Sequence, residues 1–151
     1  MRHFGHPVRW AILLLFIIAG LQLVACGQPS TTASGGEEPA KVDPVAGTDL
    51  SRVIVTEEAA KRLDIQTATV HDAQMRGTLR LVAPYSAVLY DMNGATWVYT
   101  NPSPLTFVRE SITVEYIEGD LAVLAAGPPA GTVVVTVAGP ELYGIEAGVG
   151  E

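Results

Sequence analysis

The sequence predicts an all-β domain, a small β-barrel or sandwich carrying one short helix. Short segments of alternating apolar and polar residues recur at near-regular spacing between Arg52 and Val137. Turn-forming residues punctuate them, at Asp91-Met92-Asn93-Gly94, Glu118-Gly119-Asp120 and Gly127-Pro128-Pro129-Ala130-Gly131. Helical character is confined to the stretch from Thr56 to Leu63.

The chain begins with a different signal. Arg2 and Arg9 precede an apolar run from Trp10 to Ala19, continued by Leu21, Leu23, Val24 and Ala25. A positive n-region, an apolar h-region and a small residue before the cut describe a secretory signal. The run, interrupted by Gln22, falls short of the ~20 residues that a membrane-spanning helix needs. Leu23-Val24-Ala25-Cys26 resembles the lipobox of bacterial lipoproteins, in which the cysteine is acylated and becomes the first mature residue. Cys26 is the sole cysteine, which also excludes an internal disulfide framework and a multi-cysteine metal site. Residues 1–25 are therefore expected to be a signal peptide, with Cys26 as the lipidation site. The mature protein is expected at the extracytoplasmic face of a membrane, in the periplasm or at the cell surface. Two or more acyl chains, of the palmitate type, give a firm anchor at about 0.8 kcal/mol per buried methylene.

Residues 26–47 are rich in Gly, Ser, Thr, Pro and Ala and lack aromatics, so they read as a flexible tether. Residues 48–151 read as a single small domain of roughly 100 residues. Cleavage would remove Arg2 and Arg9, leaving seven Lys and Arg of the nine against sixteen Asp and Glu, a formal charge of −9. An acidic surface argues against nucleic acid and against a basic patch for anionic headgroups.

Arg52 to Val55 reads as a strand. Thr56 is a candidate N-cap, Glu57 and Glu58 suit the positive end of the helix dipole, and Glu57–Lys61 and Glu58–Arg62 are i,i+4 pairs. Strands follow at Ile65 to Val70 and Gly77 to Ala83, with a solvated loop expected around His71. The segment from Ala83 to Thr100 reads as a hairpin around Asn93-Gly94, because Asn-Gly readily adopts the positive φ a tight turn needs. Phe107 to Arg109, Ser111 to Tyr116 and Leu121 to Ala125 read as further strands. Thr132 to Val137 is an apolar run suited to a strand buried on both faces. The glycine-rich ending, Gly139 to Glu151, is expected to be irregular.

Residues with the chemistry for catalysis are scarce. The mature chain has one histidine, His71, beside Asp72 and near Met75, which is not ligand spacing for zinc or copper. Ser86 and Ser111 lack a nucleophile elbow, and no glycine-rich phosphate loop is present. Glu115, Glu118 and Asp120 read as solvated turn residues. The sequence predicts a binding protein, with no cofactor, no metal and no enzymatic activity. Aromatic strand residues supply candidate partner contacts: Tyr90, Trp97 and Tyr99, with Tyr143 in the tail. Core packing is the competing use of such residues.

Taken in order, the segments resemble the periplasmic adaptor subunits, or membrane fusion proteins, of RND-type efflux systems. Val53 to Val70 is similar to the strand, acidic-then-basic helix and second strand near such adaptors' N-termini, with Asp64 where glycine is frequent. Ala83 to Tyr90, Gly94 and Trp97-Val98-Tyr99 resemble their later hairpin. Phe107-Val108-Arg109, Val114, Gly119-Asp120, Leu124, Gly127, Gly131 and Val133-Val134 follow the run after it, and Glu141 to Gly150 resembles their short ending. The resemblance covers most of residues 52–150. Full adaptors interpose a lipoyl domain, a barrel and a coiled-coil hairpin, whereas here only thirteen residues separate Val70 from Pro84. It implies a membrane-proximal domain alone, serving as an accessory module that meets a transporter permease or a fuller adaptor subunit. A surface lipoprotein that binds a small ligand or metal ion, reusing the same fold, is the alternative.

Overall fold

The structure, a computed structural model, describes residues 38–148. The signal peptide and Cys26 lie outside the described residues. Within them the order of elements is β1 (Ala40–Pro44), β2 (Ser51–Val55), α1 (Glu57–Arg62), β3 (Gln66–Thr69), β4 (His71–Met75) and β5 (Thr78–Pro84). A 3-10 turn (Tyr85–Ala87) leads to β6 (Leu89–Tyr90), β7 (Thr96–Ser103), β8 (Thr106–Glu118), β9 (Leu121–Ala126), β10 (Val133–Val137) and α2 (Gly139–Glu146). All-β is thus the fold class, with two short helices that both pack into one apolar cluster.

The ten strands form one hydrogen-bonded network in the order β3-β10-β7-β8-β9-β5-β4, with β2 and its partner β1 added to β8 and with β6 added to β7. Every pairing is antiparallel. The sheet curls as a half-barrel. Its axis is the 13-residue β8. The first half of β8 pairs with β7 and β2, the second half with β9. Register shifts after Thr113 and Val114 mark irregularities of the kind that bend a strand and re-aim its side chains.

Three apolar clusters result, and β8 contributes to each. Ile112 packs with Val70, Ala83, Val98, Leu124 and Val134. Phe107 packs with Val53, Val55, Trp97, Tyr99, Val135 and Leu142. Tyr116 lies against Met75, Val82 and Val123. Val134 and Val135, adjacent in β10, enter different clusters, so this strand is buried on both faces as its unbroken apolar run predicts.

Helix α1 forms as its sequence dictates. Thr56 is extended and its hydroxyl accepts from the Ala59 amide at 3.2 Å, Glu57 and Glu58 occupy the first turn, and Ala59 is buried.

Three expectations need correction. Within the supposed tether, residues 40–44 form β1, paired in register from Ala40 opposite Val55 to Pro44 opposite Ser51. A strand at the sheet margin needs little apolar surface, because its backbone pairing supplies the order. The loop expected at His71 is instead β4, whose exposed His71, Asp72 and Gln74 alternate with half-buried Ala73 and buried Met75. The turn at Arg76 and Gly77, both at positive φ, closes it onto β5, so a plain hairpin fills the interval between Val70 and Pro84. Within the expected irregular ending, Gly139–Glu146 is helical. Pro140 occupies the first turn of α2, where its missing N–H costs nothing, and Leu142 is fully buried. Tertiary burial overrides the poor helix propensity of Gly139 and Gly144.

Candidate binding cleft

Strand alternation places Trp97 and Tyr99 on one face of β7 and Val98 on the other. Val98 joins the first cluster, while Trp97 and Tyr99 turn to the side that α2 covers. The indole meets Tyr99 edge-on, with centroids 5.4 Å apart and planes at 82°. It meets Tyr143 of α2 at 5.3 Å and 56°. Both geometries suit aromatic quadrupoles.

Charged partners fasten the helix above these rings. Arg109 is the direct cross-strand neighbour of Tyr99. Glu146, one turn beyond Leu142, reaches down so that its Oε2 accepts from the Tyr99 hydroxyl at 2.5 Å and lies 2.8 Å from Arg109 Nε. The Arg109 N–H is not aimed at that oxygen, so this contact is an ion pair by proximity rather than a hydrogen bond. The guanidinium centre sits 4.9 Å from the Trp97 ring centroid and 5.5 Å from that of Tyr143. Burial, followed by the hydrogen bond to Glu146, holds the Tyr99 phenol far above its ordinary range, keeping it neutral.

The β6–β7 turn forms the opposite wall. Asp91 Oδ1 accepts from the amides of Asn93 and Ala95, each at 2.8 Å, and the Gly94 amide donates to Asp91 O at 3.1 Å. Gly94 alone in the turn has positive φ, at 81°. The sequence prediction of a hairpin here holds, with one difference in form. Its loop is a three-residue type with a glycine bulge, not a two-residue turn. The strand arm before it shortens to Leu89 and Tyr90, because Pro84 ends β5 and Tyr85–Ala87 turns the chain.

Between the turn and α2 lies a cleft of about 480 Å³, bounded by Leu89 through Asn93 on one side and by Trp97, Pro140 and Tyr143 on the other. The structure brings three of the four candidate aromatic residues to this cleft. Tyr90 and Tyr143 are half exposed, and Trp97 is 8% exposed. Tyr99 is fully buried behind Trp97 and does not line it. The indole N–H of Trp97 is buried and has no acceptor among the described residues. Sequence reasoning missed Met92, fully exposed at the tip of the turn, for which an apolar residue at a turn position was the available signal. It also missed Glu146 and Arg109, whose separation along the chain hides their pairing.

A larger opening of about 650 Å³ flanks the start of α1, lined in part by Glu38, Lys41, Glu57 and Glu58. It contains none of the candidate aromatic residues and no orphaned buried side chain among the described residues. His71 is exposed, its Nδ1 3.0 Å from Thr69 O. Among the described residues no three His, Cys, Asp or Glu side chains gather as metal ligands, and no helix is long and apolar enough to cross a membrane.

No family model matches the sequence, and neither does any curated protein. Among solved structures, the chain is similar to an NMR structure of a 180-residue piece of SilB from Cupriavidus metallidurans CH34, encompassing its N-terminal metal-binding site and membrane proximal domain. Identity is 22%, the TM-score is 0.41, and the match covers 67% of this chain and 63% of that one, under two thirds of its length.

Proposed function

We propose that this protein is a lipid-anchored, extracytoplasmic accessory module of a membrane transport system, and that it binds rather than catalyses. Support comes from the ordered resemblance of its segments to the membrane-proximal part of efflux adaptors. The observation that carries a binding role is the aromatic cleft, where Tyr90, Trp97 and Tyr143 converge from the β6–β7 hairpin and α2. On this reading Cys26 anchors the chain, and the cleft is the element that meets a permease, a fuller adaptor or their cargo. Small-ligand binding in the same cleft, without a transporter, is the second reading, favoured by a volume within the range of small-molecule sites.

Two measurements test the proposal. The Cys26→Ser variant is expected in the soluble fraction, whereas wild type sediments with membranes; a variant that remains membrane-bound removes the anchor from the proposal. Purification after mild detergent extraction is expected to bring a transporter subunit with the wild-type chain, and less of it with a Tyr90→Ser/Tyr143→Ser double variant. Purification of the chain alone under those conditions overturns the transport reading.

A further inference from the structure

The walls of the cleft contain three aromatic side chains, Tyr90, Trp97 and Tyr143, together with the thioether of Met92. Asp91 is the one lining side chain that carries charge near neutral pH, and no Lys, Arg or His lines the cleft. Asp91 spends Oδ1 on the turn amides, while Oδ2 makes no hydrogen bond among the described residues. Arg109 already places a guanidinium within cation–π distance of both Trp97 and Tyr143. These rings therefore sit where their quadrupoles act on positive charge. Glu146 neutralises that guanidinium at 2.8 Å, so Arg109 does not leave the cleft net positive. The chain as a whole is acidic, with a formal charge of −7, which raises the local concentration of cations.

From this combination we infer that the cleft binds a small organic cation: an alkylated ammonium held by Tyr90, Trp97 and Tyr143, with Asp91 as counter-charge. A bare metal ion does not fit these walls, which offer a single carboxylate and no imidazole or thiolate. An anion meets Asp91 and no free cation. A neutral apolar molecule fits the rings but gains nothing from Asp91. The inference rests on the cleft being the binding element of the module, and it names the class of cargo or ligand which that element takes.

Acetylcholine and its uncharged carbon isostere, 3,3-dimethylbutyl acetate, are suitable probes because they share shape and acceptor and differ in charge. The full chain in detergent is titrated with each while the Trp97 indole ¹H–¹⁵N signal is followed, that signal being assigned by its loss in Trp97→Phe. Saturable movement is expected with acetylcholine, with affinity about tenfold or more above that for the isostere. Asp91→Asn retains an oxygen for the turn amides and is expected to erase most of that charge preference. Tyr143→Leu, at a half-exposed position, is expected to weaken the cation several-fold. Circular dichroism and melting temperature show whether each variant is folded, and the comparison of the two probes on wild type stands even if a variant is not. Equal affinity for the two probes, or no indole movement with either, overturns the inference. Cation binding by a chain that co-purifies with no transporter upholds it while the transport reading fails. A chain that brings down a transporter subunit yet ignores acetylcholine does the reverse.

Discussion

The hydroxyl of Tyr99 donates to Glu146 at a site where the phenol is fully buried and the carboxylate 5% exposed. That phenol stays neutral well beyond its ordinary pKa of 10.0, so the contact contributes fully to stability below that pH. As pH rises past 10.0 the unfolded chain's phenol ionises and the folded one does not, and the contribution is progressively lost. Tyr99→Phe is expected to cost about 1–2 kcal/mol at pH 7, since a buried carboxylate loses its donor. Its melting temperature should then fall less steeply than that of wild type between pH 9 and about 11. Parallel curves in a thermal melt series would place the alkaline sensitivity elsewhere. The aromatic residues were legible because their chemistry marks them wherever they stand. Glu146 and Arg109 were not, because charged residues far apart in a chain look individually solvated, and their pairing exists only once α2 docks on β7.

Helix α2 is where composition and structure diverge most. Four glycines and a proline between Gly139 and Glu151 argue for an irregular ending, but Leu142 enters the cluster with Trp97 and Tyr99, and Glu146 ties down the last turn. Periodicity over eight residues is too short to reveal that one face is sheltered. Leu142→Ala is expected to cost about 2–5 kcal/mol and to loosen Trp97, read as denaturant midpoint together with near-UV circular dichroism. The β6–β7 hairpin, by contrast, was legible from its turn. Gly94 holds φ 81°, and a Cβ there meets no atom within 4 Å. Gly94→Ala should therefore cost only the backbone term, about 1–2 kcal/mol, with the fold retained. A much larger loss in a denaturation experiment would show that the turn bears on more than its own conformation. Strand β4 escaped notice because its outward residues are polar and its inward ones, Ala73 and Met75, are too few to set a period.

Across the whole molecule, the near-regular succession of alternating segments was sufficient to give an all-β domain, since the period of two is local. The joining of these strands into one curled sheet was not legible. It depends on β8, which sequence reading divides at Glu110 into Phe107–Arg109 and Ser111–Tyr116. In the structure both pieces belong to one bent strand that feeds Phe107, Ile112 and Tyr116 into three different clusters. A strand shared in this way couples the clusters, because none can lose its packing without disturbing hydrogen bonds that the others use. The domain should therefore unfold in a single transition. Ile112→Ala in the first cluster and Met75→Ala in the third lie far from one another in the strand order, and each is expected to remove about 2–5 kcal/mol. Far-UV and near-UV signals should move together in urea for wild type and both variants, with lowered midpoints and unchanged slopes. If Met75→Ala instead split the transition, with the β4–β5–β9 end melting first while Trp97 kept its near-UV signal, β8 would be a covalent link between two independent packing units.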